Sequence, residues 1–286
     1  MDPNRVFFPL ARRFVAGRSI AEALTVVERL NAGGMLATLD VLGEDSTDQG
    51  EAETTVDTYL ALAEALTERR LQANLSVKLS ALGLHHDPAS VKDRLAHIIR
   101  ASSTLSDPFV RVDMERADSI DATLNIVEQL FTATHRVGPV LQAALRRTPE
   151  DLERMIANGI RVRLCKGAYR NPTTIAYQRQ EEIRAAYLRL AERLLRAGHL
   201  PGIATHDPTL IEAICDLTQR EGISRDRFEF QMLYGVRPEL QRRLVAAKYR
   251  VRIYVPFGTR WFAYLRRRIM ERRENALFAI GAIFLR

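Results

Sequence analysis

A short apolar, strand-like run followed by a helix-patterned segment occurs eight times along the chain, and this repetition narrows the choice of folds more than any single motif. The runs are MLATLDVL (35–42), NLSVKLSAL (74–82), FVRVDME (109–115), GPVLQAAL (138–145), IRVRLCKGAY (160–169), GIATHD (202–207), RFEFQML (227–233) and RVRIYVP (250–256). Between and after them, apolar residues recur with helical spacing near 51–71, 88–103, 118–134, 149–157, 173–197, 208–221, 237–246 and 260–274. Strands separated by helices pair in parallel, because a crossover needs that length of chain. Eight units over about 250 residues predict a closed (βα)8 barrel of the TIM type. An open doubly wound sheet is the alternative. No GxGxxG follows the first run, so a Rossmann dinucleotide domain is not supported. Ahead of the barrel, residues 5–32 predict about two helices, with Ser19 and Glu22 at capping-box spacing. The N-terminal helices (1–34) and the barrel (35–286) read as one structural domain.

Alternation along the runs places side chains on opposite faces of each strand. Leu75, Val77 and Leu79 alternate with Ser76, Lys78 and Ser80. Val110, Val112 and Met114 alternate with Arg111, Asp113 and Glu115. Val162 and Leu164 alternate with Arg161, Arg163 and Cys165, and Val251, Ile253 and Val255 with Arg250, Arg252 and Tyr254. The apolar sets are expected against the helices. The other sets then fill the barrel with charge, which has to be paired or solvated. A polar ligand cavity and a purely structural salt-bridge lattice both satisfy that demand. The cavity reading is favoured by Lys78, Asp113, Gln142, Arg163, His206 and Tyr254, which fall towards the C-terminal ends of their runs, where barrel enzymes keep their sites. Asp113 and Glu115 are expected to pair with Arg111.

In the helix at 260–274, Tyr264, Arg267, Arg268 and Glu271 fall at i, i+3, i+4 and i+7, on one face. Phe262, Leu265 and Ile269 form a separate apolar stripe to anchor it. Two adjacent guanidinium groups suit a carboxylate ligand. A solvated charged face or a phosphate patch is the plainer reading of the helix alone.

The net charge of +7 is compatible with an anionic substrate, a nucleotide cofactor, a membrane surface or nucleic acid. No zinc-ligand spacing, RNP-like aromatic set or dense basic tail supports nucleic acid. No metal site is predicted, nor a Gly-x-Ser-x-Gly elbow. No apolar run is long enough to span a bilayer, and the N-terminus lacks a signal-peptide pattern. Cys165 and Cys215 lack CxxC or metal spacing and read as small core residues in a reducing cytoplasm.

Taken in order, SVKLSALG, VDME, LQAAL, VRLCKGAY, ATHD, FEFQML and YVPFG…YLRRRIMER…EN resemble the proline dehydrogenase family in its single-domain bacterial form. LDVLGE at 39–44 fits as well, and the likeness runs from about residue 35 to 280. It implies a distorted (βα)8 barrel that holds FAD at the C-terminal ends of its strands. The implied reaction oxidises L-proline to Δ1-pyrroline-5-carboxylate by hydride transfer to the flavin, with electrons passing to a quinone. That is the first step of proline degradation to glutamate, and a separate pyrroline-5-carboxylate dehydrogenase would follow. A cytoplasmic protein meeting its quinone at the inner face of the membrane is expected.

The resemblance also assigns roles. Arg267, Arg268 and Lys78 bind the proline carboxylate, and Tyr254 and Tyr264 wall the ring. Asp113 holds the cations in place. Arg163 sits near the flavin N5, with Gln142 on the same ring system. Met114 and the Lys166-Gly167-Ala168 turn line the flavin, Thr205 and His206 contact the cofactor further along, and Glu271 orients the arginines or reaches the FAD side. Ala144, Phe257 and Asn171 depart from the family's usual residues, Asn171 standing where Glu is common, and none removes a charged group that the chemistry needs. Two other classes remain on residues alone: a barrel aldolase with Lys78 or Lys166 as Schiff base, and a non-enzymatic basic module.

In the family a bulky residue at the Tyr264 position crowds the place of a ring hydroxyl. Tyr264→Ser is therefore expected to narrow the preference for proline over hydroxyproline, read as the ratio of the two kcat/KM values. An unchanged ratio would refute the role.

Overall fold

A computed structural model describes Phe8, residues 11–169 and residues 171–270, the last four by backbone alone. Eight strands are hydrogen-bonded in sequence order into a closed, all-parallel barrel. They are β1 (Leu36–Val41), β2 (Ala73–Val77), β3 (Val110–Val112), β4 (Val137–Gln142), β5 (Arg163–Cys165), β6 (Gly202–Ala204), β7 (Glu229–Leu233) and β8 (Val251–Phe257). Helix α1 (Ile20–Ala32) precedes β1. Each strand is then followed by a helix: α2 (Gln49–Glu68), α3 (Pro88–Ala101), α4 (Ile120–Thr134), α5 (Thr148–Ala157), α6 (Gln180–Ala197), α7 (Pro208–Arg220), α8 (Pro238–Ala246) and α9 (Trp261–Met270). The expected barrel is thus the observed one. β1 closes it by pairing with both β2 and β8, Leu39 lying opposite Leu75 on one side and Val255 on the other.

Local chemistry sets the helix ends. The Ser19–Glu22 capping box is made, with the Ser19 side chain accepting from Glu22 N and the Glu22 side chain from Ser19 N. Asp48 and Asp207 cap α2 and α7, each side chain accepting a backbone N–H in the first turn. Four helices carry Pro in their first turn, where the missing N–H costs nothing.

One helix boundary is corrected. The helix read from residue 173 begins at Gln180. Instead, Arg146 N donates to Ile175 O and Tyr177 N to Ala144 O, so residues 175–177 are spent on the end of β4. Of the two or so helices expected across residues 5–32, α1 is one; ahead of it Phe8 and Ala11 are helical, and an open segment follows. That segment is tied to the barrel's end: Ala16 N donates to Pro256 O at 2.9 Å, and Gly258 N to Gly17 O at 3.0 Å. Gly258 takes φ +130° in the tight turn from β8 into α9, a conformation that disfavours any side chain.

The main core lies between barrel and helices, where Leu75, Val77, Val110, Val112, Leu164, Ile253 and Val255 are buried as their alternation requires. Cys165 and Cys215 are thiols rather than a disulfide, half-buried against it. A second apolar cluster joins Phe8, Ala11, Val15, Leu42, Trp261, Tyr264 and Leu265. It corrects the anchor of α9: Phe262 is 57% exposed, and the buried stripe is Trp261, Tyr264 and Leu265. Phe8 and Trp261 meet with ring centroids 5.4 Å apart. Among the described residues, no helix is long and apolar enough to cross a membrane.

Trp261 is fully buried and is the largest side chain joining α9 to the N-terminal segment. Trp261→Ala is expected to lower the free energy of unfolding by about 3–5 kcal/mol, measured by denaturant titration. A loss below about 1 kcal/mol would mean that this cluster does not anchor the helix.

Candidate active site

The barrel interior holds a continuous set of paired charges. At its N-terminal floor, Arg252 is 1% exposed and donates from Nε to Glu229 Oε1 at 2.7 Å, from Nη2 to Asp107 Oδ2 at 2.8 Å, and from Nη1 to Ala37 O at 2.8 Å. Asp107 also accepts from Asn74 Nδ2 and Arg161 Nη1. Burial alone would push the Glu229 carboxyl up. Attraction to Arg252 outweighs it and holds the group down at about 2, so Glu229 is an ionised acceptor.

One level up, Gln231 Nε2 donates to Glu229 Oε1 at 2.6 Å, and Gln231 Oε1 accepts from Arg163 Nε at 2.5 Å. Arg163 Nη1 donates to Asp113 Oδ1 at 2.8 Å and Ser76 Oγ at 3.1 Å. The large side chains fit here because β6 contributes Gly202, where a Cβ would sit 2.5 Å from Gln231 Nε2.

At the C-terminal end of the strands, Lys78 Nζ donates to Asp40 Oδ1 at 2.6 Å and to the Tyr254 hydroxyl at 3.2 Å, and lies 3.8 Å from Asp113 Oδ2. The Tyr254 hydroxyl donates to Asp113 Oδ2 at 2.7 Å. Burial disfavours the Lys78 ammonium, but attraction to Asp40 and then Asp113 outweighs burial and raises its pKa above the usual lysine value. Burial pushes Asp40 the other way for an acid, up to about 6. These shifts are compatible, since Asp40 is wholly enclosed and its Oδ2 has no hydrogen-bond partner, so Lys78 compensates one oxygen of two. Lys78, Asp113, Arg163 and Tyr254 are therefore brought together as expected. Asp113 is the hub, accepting from Ser76, Arg163 and Tyr254.

The predicted pairing of Asp113 and Glu115 with Arg111 is overturned. Arg111 Nη1 donates to the carbonyls of Pro139 and Arg161, and its guanidinium lies 4.7 Å from the Phe109 ring. Glu115 accepts from Ser80 N at 3.0 Å and Ser80 Oγ at 2.5 Å. Ser80 in turn binds the β1–α2 loop, accepting at Oγ from Asp45 N and at its carbonyl from Ser46 N.

Beside this cluster, Gln142 is 3% exposed and donates from Nε2 to Glu115 O at 3.0 Å and Met114 O at 3.4 Å. Its Oε1 is buried without a partner among the described residues. It faces Gly167, where a Cβ would lie 3.0 Å from it and where φ is +109°. Met114 is buried next to Gln142, while Lys166 and Ala168, flanking Gly167, are half-buried and exposed respectively. Lys166 Nζ pairs with Asp207 Oδ2 at 2.7 Å, as does Arg184 Nε. Thr205 Oγ1 accepts from Asp207 N, and His206 Nε2 accepts from Leu233 N at 2.7 Å, tethering β6 to β7. Tyr264 lies in the apolar anchor of α9. The side chains of Arg267 and Arg268, and all of Glu271, lie outside the described residues, as does the apolar tail; the backbone places both arginines on α9. Among the described residues no cluster of His, Cys, Asp and Glu is grouped for a metal.

Sequence reasoning missed Asp40, Ser76, Glu229 and Gln231 as parts of this network. Strand alternation carried a signal for three of them: Ser76 is two residues before Lys78, and Glu229 and Gln231 are two apart on one strand. What alternation does not give is the partner across the barrel.

The family model for proline dehydrogenase matches residues 23–279. Proline dehydrogenase 1 of Bacillus subtilis subsp. natto is 37% identical over 273 residues, covering 96% of this chain and 90% of the relative. The proline dehydrogenase of Deinococcus radiodurans is 37% identical over 276 residues, covering 95% and 89%. Among solved structures, proline utilization A from Bdellovibrio bacteriovorus, inactivated by N-propargylglycine, superposes with a TM-score of 0.86 at 27% identity, over 95% of this chain and 34% of that one.

The floor carries a pH signature. Glu229 is held at about 2 against an ordinary 4.5. Its contribution to stability is therefore full above about pH 4.5 and is lost as pH falls towards 2. Glu229→Gln removes one of the two carboxylates paired with the buried Arg252 and is expected to cost about 3 kcal/mol at pH 7, with a smaller loss relative to the native protein at pH 3. Denaturant titrations at the two pH values check both; equal losses would reject the assignment.

Proposed function

The chain belongs to the proline dehydrogenase family, and we propose that it oxidises L-proline to Δ1-pyrroline-5-carboxylate with FAD as electron acceptor. The observation that carries this reading is the Lys78 ammonium, fixed between Asp40, Asp113 and Tyr254 at the end of the barrel where such enzymes bind substrate. In this reading Lys78, Arg267 and Arg268 bind the carboxylate of proline. Asp113 keeps Lys78 and Arg163 at fixed positions, so that the cations need no rearrangement when the anion arrives. Tyr254 and Tyr264 confine the ring, which limits the poses open to the reacting carbon.

The residues present fit a flavin. Gln142 offers a buried acceptor that the protein leaves unpaired, suited to a ring N–H. Gly167 leaves that oxygen approachable, since a side chain there would crowd it. Arg163 uses Nε and Nη1 within the protein, and its Nη2 is a donor with no partner among the described residues. Gln142, Met114, Arg163 and the 166–168 turn would hold the ring system, and Thr205, His206 and Glu271 would act further along. Bound FAD would supply the two-electron acceptor that no side chain here provides. A cation beside the ring favours the reduced, anionic form, and this is the task we assign to Arg163. Oxidation removes a hydride from ring carbon and a proton from nitrogen; proline must therefore lose its ammonium proton, and the enclosed site keeps competing water away.

Electrons would then pass to a quinone, and a separate dehydrogenase would consume the pyrroline-5-carboxylate. The purified protein is expected to be yellow, with the flavin band bleached by L-proline without oxygen. Arg267→Ala and Arg268→Ala should each reduce kcat/KM for L-proline by roughly 30-fold or more, the effect of removing one partner of a desolvated charge pair. Turnover and apparent affinity unchanged in both variants would defeat the reading.

A further inference from the structure

We propose that Gln231 is a positioning residue for the reaction: it sets the rotation of the Arg163 guanidinium and thereby aims Nη2 at the flavin. The inference rests on the reading of Arg163 as the flavin's neighbour and goes beyond it in naming what holds that arginine.

The amide has one possible orientation. Glu229 is enclosed and ionised, so it accepts and does not donate. The Gln231 atom 2.6 Å from it must be the NH2 group, and the amide oxygen is then turned towards Arg163 Nε, 2.5 Å away. Arg163 has no freedom to choose otherwise. Its Nη1 is committed to Asp113 and Ser76, and its guanidinium carbon lies 5.3 Å from the Tyr254 ring centre. Contacts to Nη1 alone would leave the planar group free to swing about that end. A second contact at Nε, on β7, fixes the plane and presents Nη2 as the open edge. Gly202 is part of the device, because a side chain there would occupy the place of the Gln231 amide. Glu229 is in turn fixed by Arg252, so the orientation is inherited from the floor of the barrel.

Gln231→Met keeps the length and burial of the side chain and deletes both hydrogen bonds. The holoenzyme is expected to retain flavin, with a shifted visible spectrum and a lower reduction potential measured against a reference dye. Its rate of flavin bleaching by L-proline should fall roughly 10–100-fold, the usual loss when an orienting partner is removed, with KM changed less than about threefold. Gln231→Glu gives a second readout. The charged groups around position 231 are Glu229 on the same strand, Arg163 on β5 and, beyond them, Arg252 on β8 and Asp113 on β3. Beside an ionised Glu229, the new carboxyl reproduces the amide only while protonated. The bleaching rate of Gln231→Glu relative to the native enzyme should therefore fall about tenfold or more as pH rises through a titration absent from the native profile.

A Gln231→Met enzyme with native spectrum, potential and bleaching rate overturns the proposal. Should Gln231→Met not fold, a Gln231→Glu profile parallel to the native one overturns it equally. Arg163→Met separates the two levels. If it too leaves spectrum and potential native, the placement of Arg163 beside the flavin is wrong; if it alters them while Gln231→Met does not, only the positioning role fails.

Discussion

A charge inside a protein must be compensated where it sits, and this barrel is built around that requirement. Four strands turn guanidinium or ammonium groups inward: Lys78, Arg111, Arg163 and Arg252. Moving each out of water costs several kcal/mol, so each needs partners within hydrogen-bond reach. Asp40, Asp113, Glu229 and Asp107 provide the carboxylates, and backbone carbonyls serve Arg111. Because partners come from opposite sides of the barrel, the pairings fix several strands at once. Arg252 on β8 reaches β7, β1 and the β3 approach; Arg163 on β5 reaches β2, β3 and β7. The glycine at 202 follows from the same demand, since long polar side chains need a gap in the ring of strands to meet across it.

The fold was legible because periodicity is a one-dimensional signal. Eight runs alternating with helices required no tertiary information, and the capping box at Ser19 was read from two residues. The boundaries that moved did so under tertiary bonds, as at 173–179, where the backbone serves β4 before α6 begins. The polar interior was legible for the same reason as the strands, from alternation. Partner choice was not. Arg111 is next but one to Asp113 in sequence, and pairing them looked natural, yet Arg111 points to carbonyls of β4 and the β5 approach while Asp113 is claimed by β5 and β8. Asp40 stands alone in an apolar run, and its partner is 38 residues away. On α9, a helical wheel placed Leu265 in the apolar stripe as observed, but chose Phe262 over Trp261 and set Tyr264 on the cationic face. That choice depends on where the N-terminal segment lies, which no wheel contains.

The network divides into a floor and a rim, and the division separates structure from chemistry. At the floor, Arg252 spends Nε, Nη1 and Nη2, and Asp107 binds three donors. The floor is thus paired in charge but not in every hydrogen bond: among the described residues Glu229 Oε2, Asn74 Oδ1 and Arg161 Nε are buried there without partners. At the rim Gln142 Oε1 and Asp40 Oδ2 are likewise buried without partners among the described residues, and Arg163 keeps Nη2 in reserve. Stability alone does not explain a charged interior of this kind, for well-packed apolar side chains do as well as buried ion pairs or better. An unpaired buried acceptor is a standing cost of about 1–3 kcal/mol, and a bound group that donates to it removes that cost on arrival. What sets the rim apart is its place and its fixed cations: it lies at the C-terminal ends of the strands, where Lys78 is held by Asp40 and Arg163 by Asp113 and Gln231. Unpaired acceptors alone therefore do not mark the site, since the floor holds them too; it is their coincidence with fixed cations at the open end of the strands that does.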